Sequence, residues 1–131
     1  MIAVDTNVVV RLLTADDPQQ FRRSKQLFEN ESIFIPDTVI LESESVLRFA
    51  YEFTAAEVNR GLRGLFGLPN VNIANPAAAA MALDWHKTGL DFSDALHLAL
   101  AHKCDRLLTF DKKFVKTSKE VTSIAVVFPP E

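Results

Sequence analysis

The residues best placed for chemistry are acids that follow short apolar runs. Ile2, Ala3 and Val4 lead straight into Asp5, and the run around Leu107 and Leu108 ends at Asp111. If such runs are strands of an open α/β sheet, ligands bind beyond their carboxyl ends, where strand order reverses. Two aspartates leaving two strands at that edge can meet although they lie far apart in sequence. Carboxylates about 4 Å apart repel by ~4 kcal/mol at an effective dielectric of ~20. A converging set must therefore take up protons or hold a cation. The plainer reading is that each aspartate merely caps the helix after it, a common role at strand–helix junctions.

A third acid lies within residues 39–51. Val39, Ile40, Ser43, Val46, Leu47 and Ala50 recur at helical spacing and predict one buried face. At about 100° per residue, Glu42 and Glu44 fall on opposite flanks of that face. Glu44 precedes Arg48 by four residues, the favourable order for a surface ion pair, whereas Glu42 has no basic residue within a turn. This assigns Glu44 to a solvated face and leaves Glu42 free for a site. The fourth acid belongs to Leu90-Asp91-Phe92-Ser93-Asp94-Ala95-Leu96-His97. Asp91 or Ser93 caps a helix running on to Cys104, and Asp94 sits in its first turn, where the helix dipole favours a carboxylate. Stabilising that N-terminus suffices to explain both acids. His97 reads as packed or partner-facing, and His86 and His102 share no zinc-ligand spacing with it.

The elements that would position these acids are legible in outline. Strands are expected over residues 2–4, 33–35, 71–73, 106–110 and 123–128. Asp17-Pro18 supplies an N-cap and a proline at the first helical position. Thr54-Ala55-Ala56-Glu57 is a capping box, and Asn75-Pro76 opens an alanine-rich helix closed by Lys87 and Gly89. Strand–helix alternation argues for a mainly parallel sheet covered by helices. No repeat or linker interrupts it, so residues 1–131 are expected to form one α/β domain.

Composition narrows the function. The 131 residues suffice for one sizeable core, and 48% apolar with 24% charged residues argues against wholesale disorder. Fourteen Lys+Arg against 17 Asp+Glu leave −3, which excludes a generally basic nucleic-acid coat. Contact with nucleic acid must rest on a local patch or a recruited cation. Cys104 is the single cysteine, so no intrachain disulfide forms; its place late in an apolar run predicts a small buried hydrophobe. The start lacks a basic region followed by a long apolar stretch. The longest charge-free stretch, residues 64–83, contains Pro69, Asn70 and Pro76. Neither a secretory signal nor a membrane span is expected, and the expected location is cytoplasmic.

Taken together, the motifs resemble a known family. Asp5-Thr6-Asn7-Val8, Val39-Ile40-Leu41-Glu42 with Val46-Leu47, Leu90-Asp91-Phe92-Ser93-Asp94-Ala95 and Leu108-Thr109-Phe110-Asp111 resemble, in order and spacing, the four acidic motifs of PIN-domain nucleases. Length, Asp16-Asp17-Pro18 and the Leu-Asp-Phe-x-Asp-Ala stretch look most like VapC-type toxins of prokaryotic toxin–antitoxin pairs. The resemblance implies a PIN-like fold with a five-stranded, mainly parallel sheet and helices on both faces. It also implies an endoribonuclease dependent on Mg²⁺ or Mn²⁺, with tRNA the first candidate substrate. The catalytic, metal-binding acids then fall on Asp5, Glu42, Asp94 and Asp111, supported by Thr6, Asn7, Asp91 and Thr109. A VapB-type antitoxin is the implied partner, forming a hetero-oligomer, and a homodimer is expected through apolar surfaces around Leu62, Leu65 and Phe66.

Arg11, Lys112 and Lys113 are the candidate RNA contacts because they adjoin the first and fourth motifs. Arg22, Arg23 and Lys25 read equally well as a solvated face balanced by Glu29 and Glu31. A haloacid dehalogenase-type phosphatase needs Asp-x-Asp, and Asn7 replaces the second acid. A response-regulator receiver needs an acidic pair after the first strand, which is missing. The remaining alternative is a PIN-like partner-binding module with weak or no catalysis.

Overall fold

The computed structural model describes residues 1–131, which gather into two compact units, Met1–Ala74 and Asn75–Glu131. The first contains β1 (Ile2–Ala3), α1 (Thr6–Thr14), α2 (Pro18–Asn30), β2 (Ile33–Phe34), α3 (Asp37–Phe49), α4 (Ala55–Phe66) and β3 (Val71–Asn72). Its strands pair in parallel in the order β1-β2-β3, with Ile33 opposite Ile2 on one side and Val71 on the other. Parallel neighbours require crossovers, and two helices fill each one. Two-residue strands contribute few ladder bonds, so packing holds the unit. Val9, Val10, Phe28, Ile33, Ile40, Leu47, Val58 and Leu62 are buried. Side-chain amides add to the ladder: Asn70 donates to the Glu31 carbonyl at 2.7 Å, and Asn72 to the Ile33 carbonyl at 3.1 Å.

The second unit contains α5 (Pro76–Lys87), α6 (Phe92–Leu100), β4 (Arg106–Leu108), α7 (Lys112–Val121) and β5 (Ala125–Val127). Helix α5 packs on α6. Buried Ala78, Ala79 and Ala82 on one helix, and Ala95 and Ala99 on the other, keep both surfaces thin. His86 is buried with its ring edge-on to Phe92, the centroids 5.3 Å apart. Gly89 adopts φ +120°, a conformation open chiefly to glycine, in the turn between the two helices. Strands β4 and β5 pair in parallel from Arg106–Ala125 to Leu108–Val127.

All five expected strands are present, parallel and flanked by helices, as the α/β reading required. Each is shorter than expected, and backbone pairing divides them into a three-stranded and a two-stranded sheet. The expected helix starts are equally clear. Asp17 accepts a hydrogen bond from the Gln20 amide at 3.0 Å, and both bonds of the Thr54–Glu57 capping box form.

Two expectations are corrected. Helix α6 ends at Leu100, and Cys104 lies in the turn after it, where it is exposed and no core residue. Leu62 and Leu65 are 0% and 3% exposed, so they belong to the core of their own unit and present no surface to a second copy. Helix α4 packs that apolar stripe on α3 and β3. No helix is long and apolar enough to cross a membrane.

Candidate functional site

The carboxyl end of β1 leads through buried Val4 to Asp5, the N-cap of α1. One oxygen of Asp5, Oδ1, accepts the Thr6 amide at 2.7 Å. Thr6 is buried, and its hydroxyl donates to Oε1 of Glu42 on α3. A single residue therefore holds two acids, one through its amide and the other through its hydroxyl. Glu42 is exposed. Asn7 is exposed in the first turn of α1.

Glu44 departs from expectation. The pairing with Arg48 forms, at 3.0 Å, but Glu44 is only 1% exposed and does not belong to a solvated face. The surface ion-pair spacing to Arg48 placed it in solvent; the guanidinium beside it, itself stacked 4.4 Å from the Phe49 ring, allows burial instead. The buried face of α3 thus comprises Val39, Ile40, Ser43, Glu44 and Leu47, with Val46 half-buried and Ala50 exposed.

In the second unit, Asp91 occupies the N-cap position of α6, yet its side chain makes no capping bond. Its Oδ2 instead accepts the Ser93 hydroxyl at 2.6 Å. Asp94 is half-buried in the first turn. Burial pushes its carboxyl above the ordinary range, and the negative charges of Asp91 and Asp111 push it further, against His97 and Lys113. Asp111 caps α7, accepting the Lys113 and Phe114 amides at 3.0 and 3.1 Å through Oδ1. The Thr109 hydroxyl receives the Asp111 amide at 3.0 Å. His97 is exposed near Asp94.

Capping and availability for a ligand are thus compatible. Asp5 Oδ2, Glu42 Oε2, Asp111 Oδ2 and both Asp94 oxygens have no hydrogen-bond partner within the chain. Within each unit the open oxygens belong to a carboxylate pair, Asp5 with Glu42 in the first and Asp94 with Asp111 in the second, and carboxylate oxygen is the donor type that hard cations such as Mg²⁺ or Mn²⁺ prefer. Mutual repulsion at Asp94 is the electrostatic condition that a cation relieves. No three His, Cys, Asp or Glu side chains form a ready-made metal-binding group, however.

The basic candidates differ in their commitments. Lys112 and Lys113 are exposed in the first turn of α7. Arg11 is engaged with Gln20, Tyr51 and Asp16. Arg23, which the sequence left undecided, lines a cavity with Arg11, Gln20 and Ser24. The available signal was the spacing of Gln20, Arg23, Ser24 and Leu27, which sets them along one side of α2.

The family model described as PIN domain matches residues 2–120, from β1 into α7. No curated protein matches the chain. The match takes in every acidic motif and nearly every element of a fold built from parallel strands and helical crossovers, and on that ground the chain belongs to the PIN domain family.

Proposed function

We propose that this PIN domain is a metal-dependent endoribonuclease and acts as a VapC-type toxin. The observation that carries the reading is the sharing of Thr6 by Asp5 and Glu42. A helix cap needs no second carboxylate; an acidic site does. The acids assigned to Mg²⁺ or Mn²⁺ are Asp5, Glu42, Asp94 and Asp111. When bound, the cation supplies charge neutralisation at a scissile phosphate and lowers the pKa of a water. Thr6 orients Asp5 and Glu42, and Asp91 and Thr109 support Asp94 and Asp111. Lys112 and Lys113 meet the negative backbone of RNA, with tRNA the first substrate to test. Hydrolysis in line leaves a 5′-phosphate and a 3′-hydroxyl. A VapB-type antitoxin silences the site in a hetero-oligomer, and the free toxin is a homodimer in the cytoplasm.

The test is cleavage of purified RNA with Mg²⁺ or Mn²⁺, beside an Asp5→Asn control. Cleavage by the native chain alone, abolished by EDTA, supports the reading. Undiminished cleavage in EDTA, or by Asp5→Asn, overturns it. A partner-binding module without catalysis is the second reading. It draws its support from the lack of any three His, Cys, Asp or Glu side chains grouped to hold a metal, and it predicts no cleavage under either metal.

A further inference from the structure

Helices α1 and α2 border an open cavity of about 390 Å³, a volume at the lower end of small-ligand sites. Its lining carries two arginines and no acid, in a chain whose net charge is −3. Arg11 is held in place from two directions. Its Nε donates to Gln20 at 2.7 Å and its Nη1 to the Tyr51 hydroxyl at 2.8 Å, with Asp16 3.3 Å away. Tyr51 in turn donates to Asp16 at 2.6 Å, closing the network. Arg23 has no ion pair or hydrogen bond within the chain. Ser24, only 6% exposed, lines the cavity with a hydroxyl that bonds to no other residue. Val8 and Leu27 supply apolar surface.

These features suit a ligand with one anionic end and one flat apolar part. A guanidinium offers paired donors to phosphate oxygens, and aliphatic side chains accept the face of a base. Asn7, also in the lining, lies two residues beyond Asp5. We propose that the cavity is a nucleotide subsite, taking one nucleoside monophosphate unit of the RNA strand with its phosphate on Arg23 and Arg11 and its base against Val8 and Leu27. The assignment to RNA rests on the ribonuclease reading; the affinity for a mononucleotide does not.

Calorimetric titration of the full chain with adenosine 5′-monophosphate, in EDTA, tests the subsite without any cleavage. The native chain and Arg22→Ala, changed at the neighbouring arginine outside the cavity lining, are expected to bind alike. Arg23→Ala weakens binding about tenfold, the loss of one charge-assisted contact, and Arg23→Lys recovers part of it. Inorganic phosphate binds more weakly than the nucleotide because it leaves the apolar wall unused. No binding by the native chain, equal binding by Arg23→Ala, or phosphate as tight as the nucleotide overturns the proposal. So does a cavity that takes only an acidic peptide. Melting curves of each variant keep loss of fold separate from loss of binding. A chain that binds the nucleotide through Arg23 yet cleaves no RNA fails the nuclease reading alone. One that cleaves RNA without binding the nucleotide fails the subsite alone.

Discussion

Two helix starts in the first unit use the same side-chain chemistry to different ends. At α4, Thr54 accepts the Glu57 amide at 3.2 Å while Glu57 accepts the Thr54 amide at 2.9 Å. That pair closes on itself, and both side chains serve the backbone. At α1, Asp5 accepts a backbone amide, but the threonine hydroxyl is turned away to Glu42, from another helix. The second arrangement leaves capping to Asp5 and uses the hydroxyl of the next residue to tie in a second carboxylate. Closed caps stabilise a helix, while an open one leaves carboxylate oxygens available to a ligand.

Asp5→Asn is expected to have the largest effect. If the α1 start serves a metal site, RNA cleavage falls by about three orders of magnitude or more, as with other essential catalytic groups. Thermal stability changes little, because an amide oxygen still caps the helix. Single-turnover cleavage and a melting curve on one preparation decide this. Next in size, Thr6→Val keeps the shape and the amide but removes the hydroxyl that orients Glu42. Activity should fall about 10–100-fold, the range for lost partners of metal ligands. A change in activity below about twofold would show that the contact with Glu42 has no catalytic part.

At the closed start, Thr54→Ala is expected to cost about 1 kcal/mol of stability and leave cleavage at the native rate; urea unfolding beside the cleavage assay checks both. The smallest effect is a matter of pH. The Thr54 backbone amide, then its hydroxyl, hold the Glu57 carboxyl below its ordinary value of 4.5. A carboxylate with a lowered folded pKa stabilises fully above the unfolded value and loses that contribution as pH falls through the folded one. The capping box therefore contributes undiminished above about pH 4.5 and weakens on acidification below it. In Thr54→Ala, the Glu57 midpoint, read by NMR titration, moves up toward the ordinary value. An unmoved midpoint would show that the Thr54 backbone amide, which alanine retains, holds the pKa down without the hydroxyl.

Much of this was legible because the signals are short. Asp17-Pro18 and Thr54–Glu57 start helices where expected, since each cap involves residues within one turn of one another. Asp5, Asp94 and Asp111 were singled out by the same means, at strand ends and in a first turn, whereas Glu42, inside α3, was singled out only by having no basic residue within a turn. Glu44 shows where such reasoning stops. Its spacing to Arg48 identified the partner, but its burial depends on what packs over α3. Leu62 and Leu65 make the same point with apolar residues, because a stripe looks identical whether it faces a core or a second protein. Cys104 was misplaced because helical periodicity continues past Leu100, while the chain turns at Ala101 and leaves Cys104 exposed beyond it.

Local patterns along the chain were enough to place the order and type of the elements, several of their starts, and the acids that stand at their ends. Those properties arise from interactions over a few residues, so they survive without knowledge of the fold. Three features came from packing between elements: Thr6 joins Asp5 to Glu42, Glu44 is buried, and Arg23 rather than Arg22 lines a cavity. Each depends on a neighbour distant in sequence, and charge, size and spacing along one helix carry no record of what packs against it.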